Sequence, residues 1–369
     1  MRDAERGTVL ITGGAGFIGR HLAEALLSAG YAVRVLDSLI EQVHGAARAA
    51  PPLPSEVGLI EGDVRNPAVV DRALAGVTHV VHLAAEVGVG QSMYAVDRYV
   101  SVNDHGTAVL FQALIERPVK RVVVASSMSI YGEGLYRTAG GDVAEGVRRP
   151  GQLDPVDADG RALVPAPTPE WKAPTLASVY ALTKYVQERL TLTLAPAYGM
   201  EGVALRLWNV YGPGQALSNP YTGVLAIFAS RLHNGQPPMI FENGLQRRDF
   251  VHVEDVVQAF LLALEHPAAP GNVYNVGSGE DRTVREVAQL LARAMGREDI
   301  EPEITGKVRA GDIRHCIADI TRIRSELGYA PRRDFSEGLA ELAAWVAQQQ
   351  ALDLVAEARD ALEKRDLVA

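Results

Sequence analysis

The chain of 369 residues has one cysteine, Cys316. A single thiol can form neither an internal disulfide nor a cysteine zinc site, so a reducing cytoplasm is the expected setting. No run of apolar residues approaches the ~18 needed to span a bilayer, and no membrane association is expected. No cluster of lysines and arginines is present either, and the formal net charge is −9. That balance argues against nucleic acid as a partner, since a binder would show a basic patch. Residues 1–7 are charged and the apolar stretch after them is broken by glycines, so no signal peptide is expected.

What is present is ordinary for a globular chain, with 47% hydrophobic and 22% charged residues. The length allows a large core and two structural regions. In the first half, short β-branched runs at 8–12, 32–37, 57–61, 79–83, 121–126 and 203–207 alternate with helical-period segments at 18–29, 67–75, 102–116 and 178–195. Continuous apolar strands alternating with helices predict a parallel sheet covered on both faces. The fold class is therefore α/β, a Rossmann-type doubly wound sheet.

Beyond residue 210, turn-rich pieces alternate with helices around 224–234, 253–264 and 284–295, which predicts a smaller mixed α/β lobe at the sheet's carboxyl edge. The expected division is 7–210 plus 245–275 for a dinucleotide-binding domain, 211–244 plus 276–350 for a substrate lobe, and a helical tail at 351–369. The tail suggests no function. Segment 133–176 is rich in proline and glycine, with little periodicity, and is long for a loop. It reads as a solvated insertion or as a lid over the substrate.

Thr12-Gly13-Gly14-Ala15-Gly16-Phe17-Ile18-Gly19 lies between the first strand and the first helix. Glycine suits a tight turn, close approach of backbone to a pyrophosphate, and close packing of helix on strand. Asp37 ends the second strand, where it would accept hydrogen bonds from ribose hydroxyls and repel a 2′-phosphate, favouring NAD over NADP. Arg34 on the same strand leaves NADP open. Asp63 and Val64 follow the third strand, where a carboxylate could bond the adenine amino group. Leu83, Ala84 and Ala85 follow the fourth, either letting the cofactor pass or simply packing helix on sheet. Asn103 is a further cofactor candidate.

The strand 121–126 turns from apolar residues to hydroxyls at Ser126, Ser127 and Ser129. Tyr180 and Lys184 are four apart, so on a helix they share a face. A nearby ammonium favours phenolate and makes tyrosine a better base. By itself a Tyr-x-x-x-Lys pair is common; beside the glycine loop, Asp37 and the serine-ended strand it points to proton removal from an alcohol whose hydride a dinucleotide accepts.

Five ordered features carry a resemblance across nearly the whole chain: Gly13/Gly16/Gly19, Ser127 four residues before Tyr131, Tyr180/Lys184, Arg-Leu-Trp-Asn-Val-Tyr-Gly-Pro at 206–213, and Arg-Asp-Phe-Val-His-Val-Glu-Asp at 248–255. Together they resemble the extended short-chain dehydrogenase/reductase family, and within it the nucleotide-sugar epimerases and dehydratases. The resemblance implies that Ser127 bonds the sugar 4-hydroxyl, Tyr180 removes its proton, and hydride passes to NAD and back to the opposite face. Family dehydratases usually carry an Asp-Glu pair after the catalytic Ser or Thr, and decarboxylating members usually keep the Glu. Here Met128 and Ser129 stand there, neither able to do carboxylate chemistry, which disfavours both reactions.

The resemblance further assigns Arg248 and Arg309 to the substrate diphosphate, which arginine's forked donors suit. It places Asn209, Val224 and Phe241 at the substrate, with Phe241 stacking on the base, and Cys316 at the pocket wall. The plainer alternatives are surface ion pairs for the arginines, lobe core for Phe241 and a buried thiol for Cys316. His79, His82 and His105 read as structural, and His252 and Asp255 as braces. Some relatives carry cysteine pairs in the 133–176 region; this chain has none, so no metal is expected. Segments 86–92, 127–136 and 215–224 look like those of dTDP-deoxysugar 4-epimerases such as dTDP-L-rhamnose 4-epimerases. Competing readings are C4-epimerisation of UDP-glucose or UDP-glucuronate, a 4-ketoreductase, and, in a different class, a dinucleotide sensor. The family also implies a homodimer through a four-helix bundle. Helices 102–116 and 178–195 would build it, with Val109, Leu110, Ala113, Leu114, Val186, Leu190 and Leu194 available for contact.

Overall fold

The computed structural model describes residues 6–45, 53–148, 152–309, 311–349 and 353–368. Five strands open the first sheet: β1 (Thr8–Thr12), β2 (Ala32–Asp37), β3 (Gly58–Glu61), β4 (His79–His82) and β5 (Arg121–Ser127). With strands Glu201–Leu207 and Val273–Val276 they form one all-parallel sheet. Its order is β3-β2-β1-β4-β5, then Glu201–Leu207, then Val273–Val276.

Why these runs are strands is visible in β1. Val9 and Ile11 belong to the core on one face and Leu10 to the core on the other, and all three are fully buried. Successive side chains of a strand point to opposite faces, so an unbroken apolar run fits a sheet covered twice. Helices Phe17–Ser28 and Val253–Glu265 supply the first cover through Leu22, Leu26, Val256 and Phe260. Helices Pro67–Ala73 and Gly106–Glu116 supply the second through Val70, Leu110 and Leu114. The burial of Leu110 and Leu114 inside the chain removes them from the residues expected at a dimer face.

The chain builds β1, β2 and β3 outward and then crosses back to place β4 on the other side of β1. Such a reversal leaves a crevice at the carboxyl ends of β1 and β4. The expected boundaries hold to within one or two residues for most of these elements; Glu201–Leu207 starts two residues earlier than expected.

A second sheet runs Asn209–Tyr211, Arg247–His252, His315–Ala318, Val164–Thr168, Leu135–Arg137, Val143–Glu145. Strand Arg247–His252 therefore pairs here, although its residues were expected with the first domain. Three of these strands come from segment 133–176, which is a solvent-exposed insertion over much of its length but ordered into strands; none of its described residues lines the main cleft, so it is not a lid. Its anchors are distant in sequence, which is why no local pattern announced it. The Glu133 carboxylate accepts from the backbone N–H of Arg314 (2.7 Å) and His315 (3.2 Å), and Thr168 Oγ1 accepts from Leu135 N–H (2.9 Å). Arg314, almost wholly buried, reaches Asp154 and Glu242 at 2.8 and 2.7 Å.

The smaller lobe has its own core of Leu225, Phe228, Leu232, Phe250, Val287, Leu291 and Leu342. In the tail, Val355–Glu363 is helical; residues 351 and 352 lie outside the described ones. Among the described residues no helix is long and apolar enough to cross a membrane.

Candidate active site

One cleft of about 1680 Å³ runs from the glycine loop, past the ends of β4 and β5, into the smaller lobe. At its inner end Gly13 adopts φ +70°, and a Cβ there would lie 2.8 Å from the backbone nitrogen of Ala84. A Cβ on Gly19 would meet Gly14 Cα at 2.5 Å, so helix Phe17–Ser28 packs directly on the loop. That helix has no side-chain cap and no acid in its first turn, which leaves its N–H groups and dipole open to an anion.

Asp37, at the end of β2, accepts from the N–H of Ala15 (3.0 Å) and of Leu39 (2.9 Å), and His44 Nε2 is 3.6 Å away. The glycine loop and the acidic strand end are thus tied together, as a dinucleotide cradle requires. Arg34 points elsewhere, donating to the carbonyls of Ala73 and Ala75. It offers nothing to a 2′-phosphate. Asp63 lines the cleft, but both its oxygens are engaged by Arg65, which holds its carboxyl below the usual range.

β5 delivers Ser127 to the cleft floor. Its Oγ accepts from Ser129 N–H (3.2 Å), starting a tight turn over Met128–Tyr131, and from the Ser129 hydroxyl (2.8 Å). Helix Val179–Ala197, capped by Ser178, faces it with Tyr180 and Lys184. Tyr180 and Ser127 both line the cleft here. Burial pushes the Tyr180 phenol up, and Ser127 partly offsets this. Lys184 Nζ donates to Gln187 Oε1 at 2.7 Å, and burial lowers its pKa to about 7 against the opposing pull of Glu188. Lys184 thus bonds Gln187 rather than the Tyr180 phenol. Gln187 in turn donates to Thr107 Oγ1 (2.9 Å) and the Ala84 carbonyl (3.2 Å) and contacts His82, whose pKa burial lowers to about 3. His82 is therefore a neutral structural group, as the sequence suggested.

In the smaller lobe, Arg248 donates to the carbonyls of Arg314 (2.9 Å) and Ile313, and Arg309 stacks over the Phe241 ring at 4.5 Å. Asp312 stands between the two arginines, 3.0 Å from Arg309 and 3.7 Å from Arg248. Burial opposes ionisation of Asp312, yet the two guanidiniums hold its carboxyl below the usual range. Asn209 donates to the Asp249 carbonyl (2.8 Å) and to Met128 Sδ (3.6 Å).

All the site residues expected from sequence line this cleft except Asn103 and Cys316. Asn103 is fully buried: its carboxamide accepts from Glu86 N–H (2.7 Å) and donates to the Glu86 carbonyl and Thr183 Oγ1. It braces the loop after β4 and the helix of Tyr180 rather than touching the cleft. Cys316 is covered on its strand by the 133–176 sheet; burial raises its pKa to about 12. His252 caps helix Val253–Glu265 and Asp255 accepts from the N–H of Arg332 and Arg333, so both brace the fold.

Sequence reasoning missed Asp312 and Gln187. Gln187 lies three residues beyond Lys184 on one helix, a spacing that could have found it; Asp312 lies in an irregular segment, where no periodicity marks it. It also missed the tail: Leu354, Ala358 and Leu362 line the cleft.

The sequence model of the NAD dependent epimerase/dehydratase family matches residues 9–277. The chain is 33% identical over 348 residues to a dTDP-L-rhamnose 4-epimerase of Burkholderia thailandensis, covering 92% of this chain and 95% of that one. It is 29% identical to a dTDP-glucose 4,6-dehydratase of Actinoplanes, covering 91% and 97%. The crystal structure of Thermus thermophilus UDP-glucose 4-epimerase in complex with NAD superposes with a TM-score of 0.74 at 31% identity, covering 93% of this chain and all of that one. With the glycine loop, the Ser127–Tyr180–Lys184 group and the parallel sheet in their places, the chain belongs to the NAD-dependent epimerase/dehydratase family.

Proposed function

We propose that the protein is an NAD-dependent nucleotide-sugar C4-epimerase acting on a dTDP-deoxysugar such as dTDP-L-rhamnose. The observation that carries this is the convergence in one cleft of a base, a hydroxyl donor and paired arginines, with Met128 and Ser129 where a dehydratase needs carboxylates.

The cradle of Gly13, Gly16, Gly19, the open helix end and Asp37 fits NAD, with Phe17, Ile18, Asp63, Val64, Leu83, Ala84, Ala85 and Lys184 along its course. Bound NAD supplies a reversible hydride acceptor that takes the C4 carbinol to a ketone and back. Ser127 holds the 4-oxygen, and Tyr180 takes and returns its proton. Lys184, freed from Gln187, orients the nicotinamide ribose and supports the phenolate. Holding these groups in register is where rate is gained. Arg248 and Arg309 exchange Asp312 for the diphosphate, and Phe241 exchanges its arginine for the base. Asn209 and Val224 complete the wall.

Met128 beside Ser127 offers a 6-methyl group an apolar contact and a 6-carboxylate no charge. This favours a deoxysugar over UDP-glucuronate, as does the 33% identical relative. A free buried thiol suits a cytoplasmic protein. Val100 and Leu182, 41% and 45% exposed on two elements that pack together, offer apolar side chains to a homodimer contact.

The test is turnover of a panel of dTDP- and UDP-sugars followed by NMR with no added cofactor. Sustained formation of the C4 stereoisomer supports epimerisation, and dependence on stoichiometric NADH would replace it with ketoreduction. Tyr180→Phe is expected to abolish hydride transfer while NAD remains bound; an unchanged rate removes the assigned base.

A further inference from the structure

The tail forms a bridge across the nucleotide end of the cleft. Its helix Val355–Glu363 presents Leu354, Ala358 and Leu362, spaced four apart on one face, to the cleft, while Asp360 and Lys364 face solvent. On the smaller lobe, Asp353 pairs with Arg231 at 3.1 Å and Arg359 reaches Met239 Sδ at 3.9 Å, two residues from Phe241. Glu363 pairs with Lys307 at 2.6 Å, and Val368 makes an antiparallel bridge to Arg309 itself. On the opposite wall, Leu362 packs so near Gly90 that a Cβ there would lie 3.4 Å from it, and Arg365 stacks over Tyr94 at 4.5 Å. Tyr94 is in turn bonded to Tyr221 of the loop leading to Val224 (2.6 Å between hydroxyls).

We infer that residues 353–368 are a strap that completes the nucleoside-diphosphate subsite and takes part in selecting the nucleotide. The strap touches both walls, and its end pairs with the backbone of the arginine assigned to the diphosphate. Its links are one largely buried ion pair (Asp353–Arg231), one half-exposed pair (Glu363–Lys307), one backbone bridge, one cation–π stack and one small apolar contact, a set much smaller than a packed core. Such a segment releases for entry and closes over the ligand, fixing Arg309 and the loop beside Phe241. Because none of these contacts is made with the side chains of Ser127, Tyr180 or Lys184, they serve ground state and transition state alike. Their loss should raise KM more than it lowers kcat.

This inference rests on the nucleotide-sugar reading, and the experiment separates the two. The NAD-loaded full chain, a chain ending at Gln349, and the full-length variant L362E/R365A are titrated with dTDP and with UDP by calorimetry. NAD content reports that the first sheet remains folded. The expected result is at least tenfold weaker dTDP binding in both variants, with NAD retained and KM raised more than kcat is lowered. Affinity within twofold of the full chain in both variants overturns the strap alone. A full chain that binds neither nucleotide overturns the nucleotide-sugar reading, and the strap's role with it.

Discussion

Removing Glu188 should unseat the helix that carries Tyr180 and Lys184. Glu188 and Arg206 are 1% and 5% exposed and form a two-pronged pair, Arg206 reaching Oε1 at 2.7 Å and Oε2 at 3.0 Å. Ser126, next to Ser127, donates to the same carboxylate at 2.7 Å. The guanidinium also donates to the Tyr131 hydroxyl (2.6 Å) and lies 4.8 Å over the Tyr131 ring. One carboxylate therefore joins the helix of Tyr180 and Lys184 to β5 and to the neighbouring strand. Glu188→Ala leaves a buried guanidinium without its counter-charge, which costs about 3–5 kcal/mol. At the low end of the usual conversion, about 2 °C per kcal/mol for a large domain, the melting temperature falls by about 6–10 °C. Exchanging both partners for apolar residues, Glu188→Leu with Arg206→Met, removes the stranded charge and should recover much of that loss. Calorimetry on NAD-loaded protein measures both. If Glu188→Ala melts within about 2 °C of the parent, or the double variant is no better than the single, the pair is not the tie described here.

Lys184 supplies a pH test. In NAD-free protein it titrates near 7, whereas an unfolded lysine keeps its proton to about 10.4. Between those values the unfolded chain binds more protons, so this residue makes stability rise with pH. Urea midpoints at pH 7 and pH 9 should therefore shift in favour of the parent over Lys184→Met; a constant or reversed gap contradicts the burial argument. Gly13→Ala places a Cβ against the Ala84 backbone in a left-handed conformation and should lose bound NAD, read by cofactor stoichiometry. Gly30→Ala is the control, with φ +87° but nothing within 4 Å, and should keep NAD; equal loss in both would mean backbone strain rather than collision decides.

The glycine spacing, Asp37 at a strand end and the four-residue step from Tyr180 to Lys184 were all legible before any coordinates. Each is a short-range pattern, held by covalent spacing and the period of one element. The parallel sheet was legible for a related reason: a strand buried on both faces must be apolar throughout, as Val9, Leu10 and Ile11 are. Asn103 and Cys316 could not be read this way. Their neighbours in the chain say nothing of Thr183, eighty residues from Asn103, or of the sheet that covers Cys316.

Local sequence thus pointed to the proposed cofactor cradle and the proposed reacting side chains, because their chemistry is written in residue type and step length. Tertiary structure alone decided the rest: that 133–176 extends a sheet, that Asp312 stands between two arginines, that the tail crosses the cleft, and that burial brings the Lys184 ammonium to about 7. These depend on which distant segments meet and how much water they exclude, and neither quantity is set by any stretch of chain taken by itself.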